Sequence, residues 1–144
     1  MSKLHYRTVW ISDTHLGLKE ARSEFLLDFL KHTDCDTIYL VGDIIDLWKM
    51  RRGMYWPQIN NEIVRNLMQK ARNGTRVVYV PGNHDELFRD YVDMFFGGIE
   101  MTHEAEHVSA DGKRYLVLHG DEFDCVVMNN KWLAYLGSEA YDFL

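Results

Sequence analysis

No apolar run in this sequence approaches the ~20 residues that a membrane-spanning helix requires. The first residues, Met1-Ser2-Lys3-Leu4-His5-Tyr6-Arg7, lack the apolar core of a secretory signal. Cysteine is scarce as well: Cys35 and Cys125 are the only two, and neither lies in a Cys-x-x-Cys spacing. That argues against a disulfide framework and fits two reduced thiols. There is no excess of positive charge, since 16 Lys and Arg face 22 Asp and Glu for a formal net charge of −6. A chain that grips a nucleic-acid backbone is usually basic, so no nucleic-acid partner is expected. Repeats, low-complexity tracts and linkers are missing too. These absences lead to the expectation of a cytoplasmic protein, with peripheral contact at the inner membrane left open. What is present is ordinary for one globular domain: 144 residues, 47% hydrophobic and 26% charged.

The order of elements points to α/β architecture. An apolar run from Tyr6 to Ile11 predicts a strand. Residues 20–32 place Phe25, Leu26, Phe29 and Leu30 at helical spacing. Asp36 to Val41 is rich in β-branched and aromatic residues and reads as a second strand. Pro57 suits the first turn of a helix to about Arg72, with Ile59, Ile63, Leu67 and Met68 inward and Asn73-Gly74 closing it. Arg76 to Val80 predicts a third strand, ended by Pro81-Gly82. A short helix is expected over 86–95, broken by Gly97-Gly98. Residues 99–110 read as extended, Asp111-Gly112 as a hairpin turn, and Arg114 to Leu118 as another strand. From about Val126 the pattern is helical. Strand, helix, strand, helix, strand implies a parallel sheet with right-handed crossovers.

Four polar clusters each follow a predicted strand directly: Ser12-Asp13-Thr14-His15, Gly42-Asp43-Ile44-Ile45-Asp46, Gly82-Asn83-His84-Asp85 and His119-Gly120-Asp121. Ligands bind at the carboxyl ends of strands in open α/β sheets, so the four clusters should converge on one edge. Singly, an Asp after a strand is usually a cap or turn residue. Together they offer oxygen and imidazole donors with no thiolate, which suits manganese, iron or catalytic zinc. Asp13 and His15 are two apart, so an extended segment would point both to one side. Asp43, in a tight turn after Gly42, is placed to bridge two ions, and Asn83 offers a neutral amide oxygen. Two divalent ions against Asp13 and Asp43 leave the site positive, fit to attract a phosphate and to activate water for in-line attack. His84 is expected to stabilise the phosphate or protonate the leaving oxygen, with Asp85 orienting it. Asp46 and Asp121 are candidates for the same supporting role or for capping. His5, His32, His103 and His107 fit no cluster.

These four clusters, in this order, resemble the first four motifs of the calcineurin-like metallophosphoesterases. The resemblance implies a four-layer α/β/β/α sandwich holding two divalent metals, manganese first, with iron or zinc as alternatives. It implies one ion on Asp13 and His15, the other on Asn83 and His119, and Asp43 between them. Within the family, the stretches Val41 to Trp48, Tyr55 to Gln58, Tyr79 to Asp85, Asp111 to Tyr115 and Trp132 to Gly137 are similar to the UDP-2,3-diacylglucosamine pyrophosphohydrolase-like branch. Members of that branch cleave a pyrophosphate of a lipid-nucleotide to lipid X and UMP in lipid A synthesis. The resemblance therefore implies a hydrolase in which a metal-bound hydroxide attacks a phosphodiester or pyrophosphate. Two departures stand out. The lipid A enzymes carry Arg where this chain has His84, and the family's final Gly-His-x-His motif is missing. The second departure leads to the expectation that residues 1–144 are a single domain, incomplete at its C-terminus. A non-enzymatic metal-binding or scaffold role is the rival reading.

Arg51 and Arg52, with Lys49 and the aromatics Trp48, Tyr55 and Trp56 nearby, are candidate contacts for a substrate phosphate or anionic lipid, or else plain solvated surface. The residues from Val126 onward carry much apolar surface for a terminal helix, which leads to the expectation of a homo-oligomer.

Overall fold

The computed structural model describes residues 3–121 and Phe123. The helical pattern from Val126, and the self-association expected of it, lie outside the described residues. Strands β1 (Leu4–Ile11), β2 (Thr33–Val41), β3 (Arg76–Val80), β4 (Phe95–Phe96) and β5 (Ile99–Met101) form one sheet in the order β1-β2-β3-β5-β4. β1, β2, β3 and β5 run parallel, and β4 is an antiparallel edge. Helices α1 (Ser23–His32) and α3 (Gln58–Arg72) supply the crossovers between the first three strands. Because β1, β2 and β3 are neighbours in chain order, crossovers of one hand place both helices on one face. They pack together there, with Ser23 Oγ donating to Asn60 Oδ1 at 2.8 Å in the buried seam.

The central strands are apolar on both faces, as buried parallel strands are. On the helical side Ile38, Leu40, Val77 and Tyr79 pack with Leu30, Ile63 and Leu67. On the other side Tyr39, Val78 and Val80 meet Ala105 and Val117. The last two belong to a second, two-stranded sheet of β6 (Ala105–Val108) and β7 (Arg114–Val117), joined through Asp111-Gly112. Helices, first sheet and second sheet make three layers of the expected sandwich among the described residues.

The local differences from expectation have physical causes. α1 presents Ser23, Leu27 and Leu30 to the core and leaves Phe25 exposed. β2 begins three residues early because Thr33 leaves the helix already extended (φ −122°, ψ 134°) and its carbonyl accepts from the Lys70 ammonium. The stretch 86–95 is not one helix. A short 3₁₀ helix, Glu86–Tyr91, gives way to Asp93 in the left-handed region, then to β4. Gly97 and Gly98, both at positive φ (60° and 90°), form the tight turn of a β4–β5 hairpin; that is the backbone a two-residue hairpin turn requires. The extended stretch 99–110 is two strands in two different sheets. A short helix absent from the sequence reading, α2 (Leu47–Met50), is capped by Asp46, whose side chain accepts from Lys49 N.

Candidate metal centre

The segments leaving β1, β2, β3 and β7 meet at one edge of the sandwich. Main-chain bonds join the first three. Asp13 N donates to Gly42 O (3.1 Å), His15 N to Asp43 O (2.9 Å), Leu16 N to Ile44 O (2.8 Å), and Gly42 N to Val80 O (2.7 Å). Held this way, Asp13, His15 and Asp43 take left-handed conformations, with φ of 52°, 45° and 55°. Such a conformation costs an L-residue about 1–3 kcal/mol and persists only where surrounding structure imposes it, most often at functional sites.

The two kinks correct one expectation. Residues 13–15 are not extended, so the spacing of two does not by itself place Asp13 and His15 on one side. Asp13 instead gathers with Asp43 and His119, while His15 gathers with Asp43 and His84; in each group the candidate ligand atoms lie within 4.8 Å of one another. Asp43 is common to both groups and is buried. Its Oδ2 is 4.0 Å from His15 Nε2 and 4.0 Å from His119 Nε2, and His119 Nε2 is 3.9 Å from Asp13 Oδ1. These gaps are too long for hydrogen bonds and no more than twice a ~2.0–2.2 Å metal–ligand bond. One ion could therefore touch both donors in each gap, and the donor set fits a pair of divalent cations. Asn83 is half-buried between Gly82 and His84.

Two glycines make room for this convergence. A side chain on Gly42 would run into the His119 ring, and its φ of 67° already disfavours one. A Cβ on Gly82 would strike the Asp43 carboxylate and come within 2.8 Å of His119 Nδ1.

Three buried or half-buried carboxylates fix the donors. Asp46 Oδ2 takes the Nδ1 of His15 at 3.0 Å and of His84 at 2.9 Å, while its Oδ1 caps α2. Burial pushes the Asp46 carboxyl up, but the Lys49 amide and the two imidazoles outweigh that and hold it below the usual value. Asp121 Oδ1 takes His119 Nδ1 at 2.8 Å, and its Oδ2 accepts from Arg89 at 2.6 Å. Burial raises Asp121 too, with Arg89 and His119 bringing it below the ordinary carboxylate range. An imidazole whose Nδ1 is engaged in this way has its Nε2 left for a metal or substrate.

Asp85 differs from its expected role. It is fully buried, and its carboxylate accepts from the backbone N–H of Ile44 (2.9 Å), Gly82 (2.6 Å) and Asp43 (3.2 Å), and from the Tyr79 hydroxyl. It ties the Asp43 turn to the end of β3. Asp46, not Asp85, orients His84. Trp48, one of the aromatics near Arg51 and Arg52, packs its ring on His84 with centroids 4.6 Å apart. Arg51 and Arg52 are exposed in the turn after α2. The supporting roles of the Tyr79 hydroxyl and of Arg89 have no signal in the sequence, because neither residue lies in a strand-end cluster. Asp46 was visible through its spacing from Asp43.

Beneath the ligand loops, between α3 and the sheet, is a cavity of about 550 Å³ lined by apolar and aromatic side chains. Its wall includes Leu16, Ile44 and Ile45, the residues that directly follow His15 and Asp43, and its rim includes the exposed Phe95 and Phe96.

The chain belongs to the calcineurin-like phosphoesterase family, whose model matches residues 6–140. Among curated proteins, it is 28% identical over 122 residues to a UDP-2,3-diacylglucosamine hydrolase of Psychromonas ingrahamii, covering 80% of this chain and 47% of that protein. It is 24% identical to the DNA polymerase II small subunit of Methanothermobacter thermautotrophicus, covering 95% of this chain and 35% of that one. Among solved structures, the nuclease MPE of Pseudomonas putida aligns with a TM-score of 0.37 at 20% identity, over 65% of this chain and 46% of the nuclease. The chain spans about half or less of the length of these curated relatives. Among the described residues, no helix is long and apolar enough to cross a membrane.

Proposed function

We propose that this chain carries the dinuclear metal centre of a phosphoester hydrolase, acting on a phosphodiester or pyrophosphate bond. The observation that carries the reading is Asp43: one buried carboxylate shared by two groups of ligand atoms. Two divalent ions, manganese first and iron or zinc as alternatives, would supply Lewis acidity and lower the pKa of a bound water. On this reading His15 and Asp43 would hold one ion, and Asp13, Asp43 and His119, with Asn83, would hold the other. Asp46 orients both His15 and His84. His84, packed against Trp48 with its Nδ1 on Asp46, would direct Nε2 at the substrate, donating to a phosphate oxygen and protonating the leaving oxygen. Asp85 acts at one remove by holding the turn that presents Asp43.

The substrate we infer is a lipid-nucleotide of the UDP-2,3-diacylglucosamine type, cleaved to lipid X and UMP. Its support is the name of a relative and the apolar cavity beside the ligand loops, with Arg51 and Arg52 as phosphate contacts. Peripheral membrane contact and self-association belong to the same proposal. The test is hydrolysis of bis-p-nitrophenyl phosphate, and of UDP-2,3-diacylglucosamine, with added Mn²⁺, comparing the chain with Asp43→Ala. Manganese-dependent turnover lost in the variant supports the hydrolase. Mn²⁺ binding without turnover of either substrate would instead favour the metal-binding or scaffold reading. Turnover of the simple diester but not the lipid-nucleotide would remove the substrate assignment alone.

A further inference from the structure

The two ligand groups are braced by different carboxylates. His15 and His84 lean on Asp46, whose other oxygen is anchored by the α2 backbone. His119 leans on Asp121, whose other oxygen is held by a side chain brought from elsewhere. That side chain is Arg89, on the 3₁₀ helix after the Asn83-His84-Asp85 cluster. Its guanidinium donates to Asp121 Oδ2 at 2.6 Å and makes a longer contact to Pro81 O at 3.4 Å. Both partners of this ion pair are shielded, the Arg89 side chain being 24% exposed and the Asp121 side chain 15%. One planar cation thus spans the exit of β3 and the exit of β7, and the carboxylate it grips holds the ring that approaches Asp13 and Asp43.

We propose that Arg89 is a positioning residue for one ligand group only: acting through Asp121, it sets the orientation of His119 and so the affinity of the Asp13–Asp43–His119 group for a divalent ion. The proposal rests on the metal reading of the site. A carboxylate pinned on both oxygens cannot rotate, so His119 keeps its Nδ1 on Asp121 and its Nε2 toward Asp43. Without the guanidinium, Asp121 gains alternative rotamers and a route to water. The imidazole then loses its fixed tautomer. The Asp46-braced pair shares no hydrogen bond with Arg89 or Asp121 among those described, so it should not respond.

The test is Mn²⁺ titration of the chain by calorimetry and electron paramagnetic resonance, for the wild type, Arg89→Met and Arg89→Lys. The expected result is two binding events in the wild type. In Arg89→Met one event weakens tenfold or more, within the ~10–100-fold range of such supporting partners, while the other is unchanged. Arg89→Lys should recover part of the loss, since an ammonium can pair with Asp121 but is a compact point charge without the planar, pre-organised guanidinium. A metal-free measurement stands beside it: ¹⁵N imidazole shifts should show His119 as the single Nδ1–H tautomer in the wild type and as a mixture in Arg89→Met. Two unchanged events in Arg89→Met would overturn the proposal and leave the metal reading standing, and so would equal weakening of both events. A wild type that binds no ion would overturn the metal reading and the proposal together.

Discussion

Removing the Asp85 carboxylate should cost this chain much of its stability, although none of its hydrogen bonds among the described residues is to a candidate ligand side chain. Asp85→Ala strips the acceptor from two short backbone bonds, Ile44 N at 2.9 Å and Gly82 N at 2.6 Å, from a longer one at Asp43 N, and from the Tyr79 hydroxyl. Each buried donor left without a partner costs about 1–3 kcal/mol, so three strong ones come to roughly 3–9 kcal/mol. Relief of burying the charged group, worth several kcal/mol, and water entering the space offset part of this. The net expectation is about 3–5 kcal/mol, against a typical domain stability of roughly 5–15 kcal/mol. Urea unfolding followed by far-ultraviolet circular dichroism measures it as a fall in midpoint at constant slope. Asp85→Asn, which keeps the shape but turns an amide NH₂ toward donors, should lose nearly as much. A loss under about 1 kcal/mol in both variants would refute the reasoning. If they also showed an altered His84 tautomer, Asp85 would be the orienting partner of that imidazole after all.

Gly42→Ala should lower stability by at least the roughly 1–2 kcal/mol of a left-handed L-residue, and should abolish Mn²⁺ binding because the added methyl meets the His119 ring; retained binding in calorimetry would contradict the packing described. Asp46→Asn should reduce Mn²⁺ affinity at the His15 group by about 10–100-fold, with turnover of bis-p-nitrophenyl phosphate falling at least as far, since both His15 and His84 lose their orienting carboxylate. Burial, with the Asp85 charge next in importance, holds the Tyr79 hydroxyl well above its ordinary value. An unfolded tyrosine ionises near pH 10 while the folded one stays neutral. This contribution to stability is therefore complete below pH ~10 and is lost as pH rises toward the folded value, at up to about 1.4 kcal/mol per pH unit. Tyr79→Phe should be less stable than wild type at pH 8, with the gap narrowing between pH 10 and 11; a constant gap in urea midpoints would count against it. Ile63→Ala, at a position with no solvent exposure between α3 and the sheet, should cost about 2–5 kcal/mol, read from the same unfolding curves.

Much of the architecture was legible because the signals are local. Arg76–Val80 forms the strand its β-branched run predicts, and Asp111-Gly112 makes the hairpin its dipeptide predicts. Three of the polar clusters could be assigned to one edge because parallel strands with helical crossovers put their carboxyl ends on the same side, whereas His119-Gly120-Asp121 leaves β7 of the antiparallel second sheet and reaches that edge only through the packing of the two sheets. A residue's position along such a strand therefore determines which end of the fold it reaches, without knowledge of the packing. Gly97-Gly98 was visible as an interruption, but whether it ended a helix or turned a hairpin depended on Ile99–Met101 finding β3 as a partner.

The sequence by itself determined the chemistry on offer: carboxylates, imidazoles and an amide at strand ends, glycines beside them, and no thiolate among them. Only the tertiary structure decided how those groups divide. Left-handed turns at Asp13 and His15 sent neighbours in sequence to different partners, and Asp43 became common to both groups. Asp46, Asp85 and Asp121 look alike in sequence, each a carboxylate within three residues of a candidate ligand. Packing made one a brace for two imidazoles, one an anchor for a backbone turn, and one the link between Arg89 and His119. The physical reason is that donor type is a property of the residue. Which donor it meets depends on backbone twists and on contacts 31 to 41 positions away, and these exist only after the sheet has assembled.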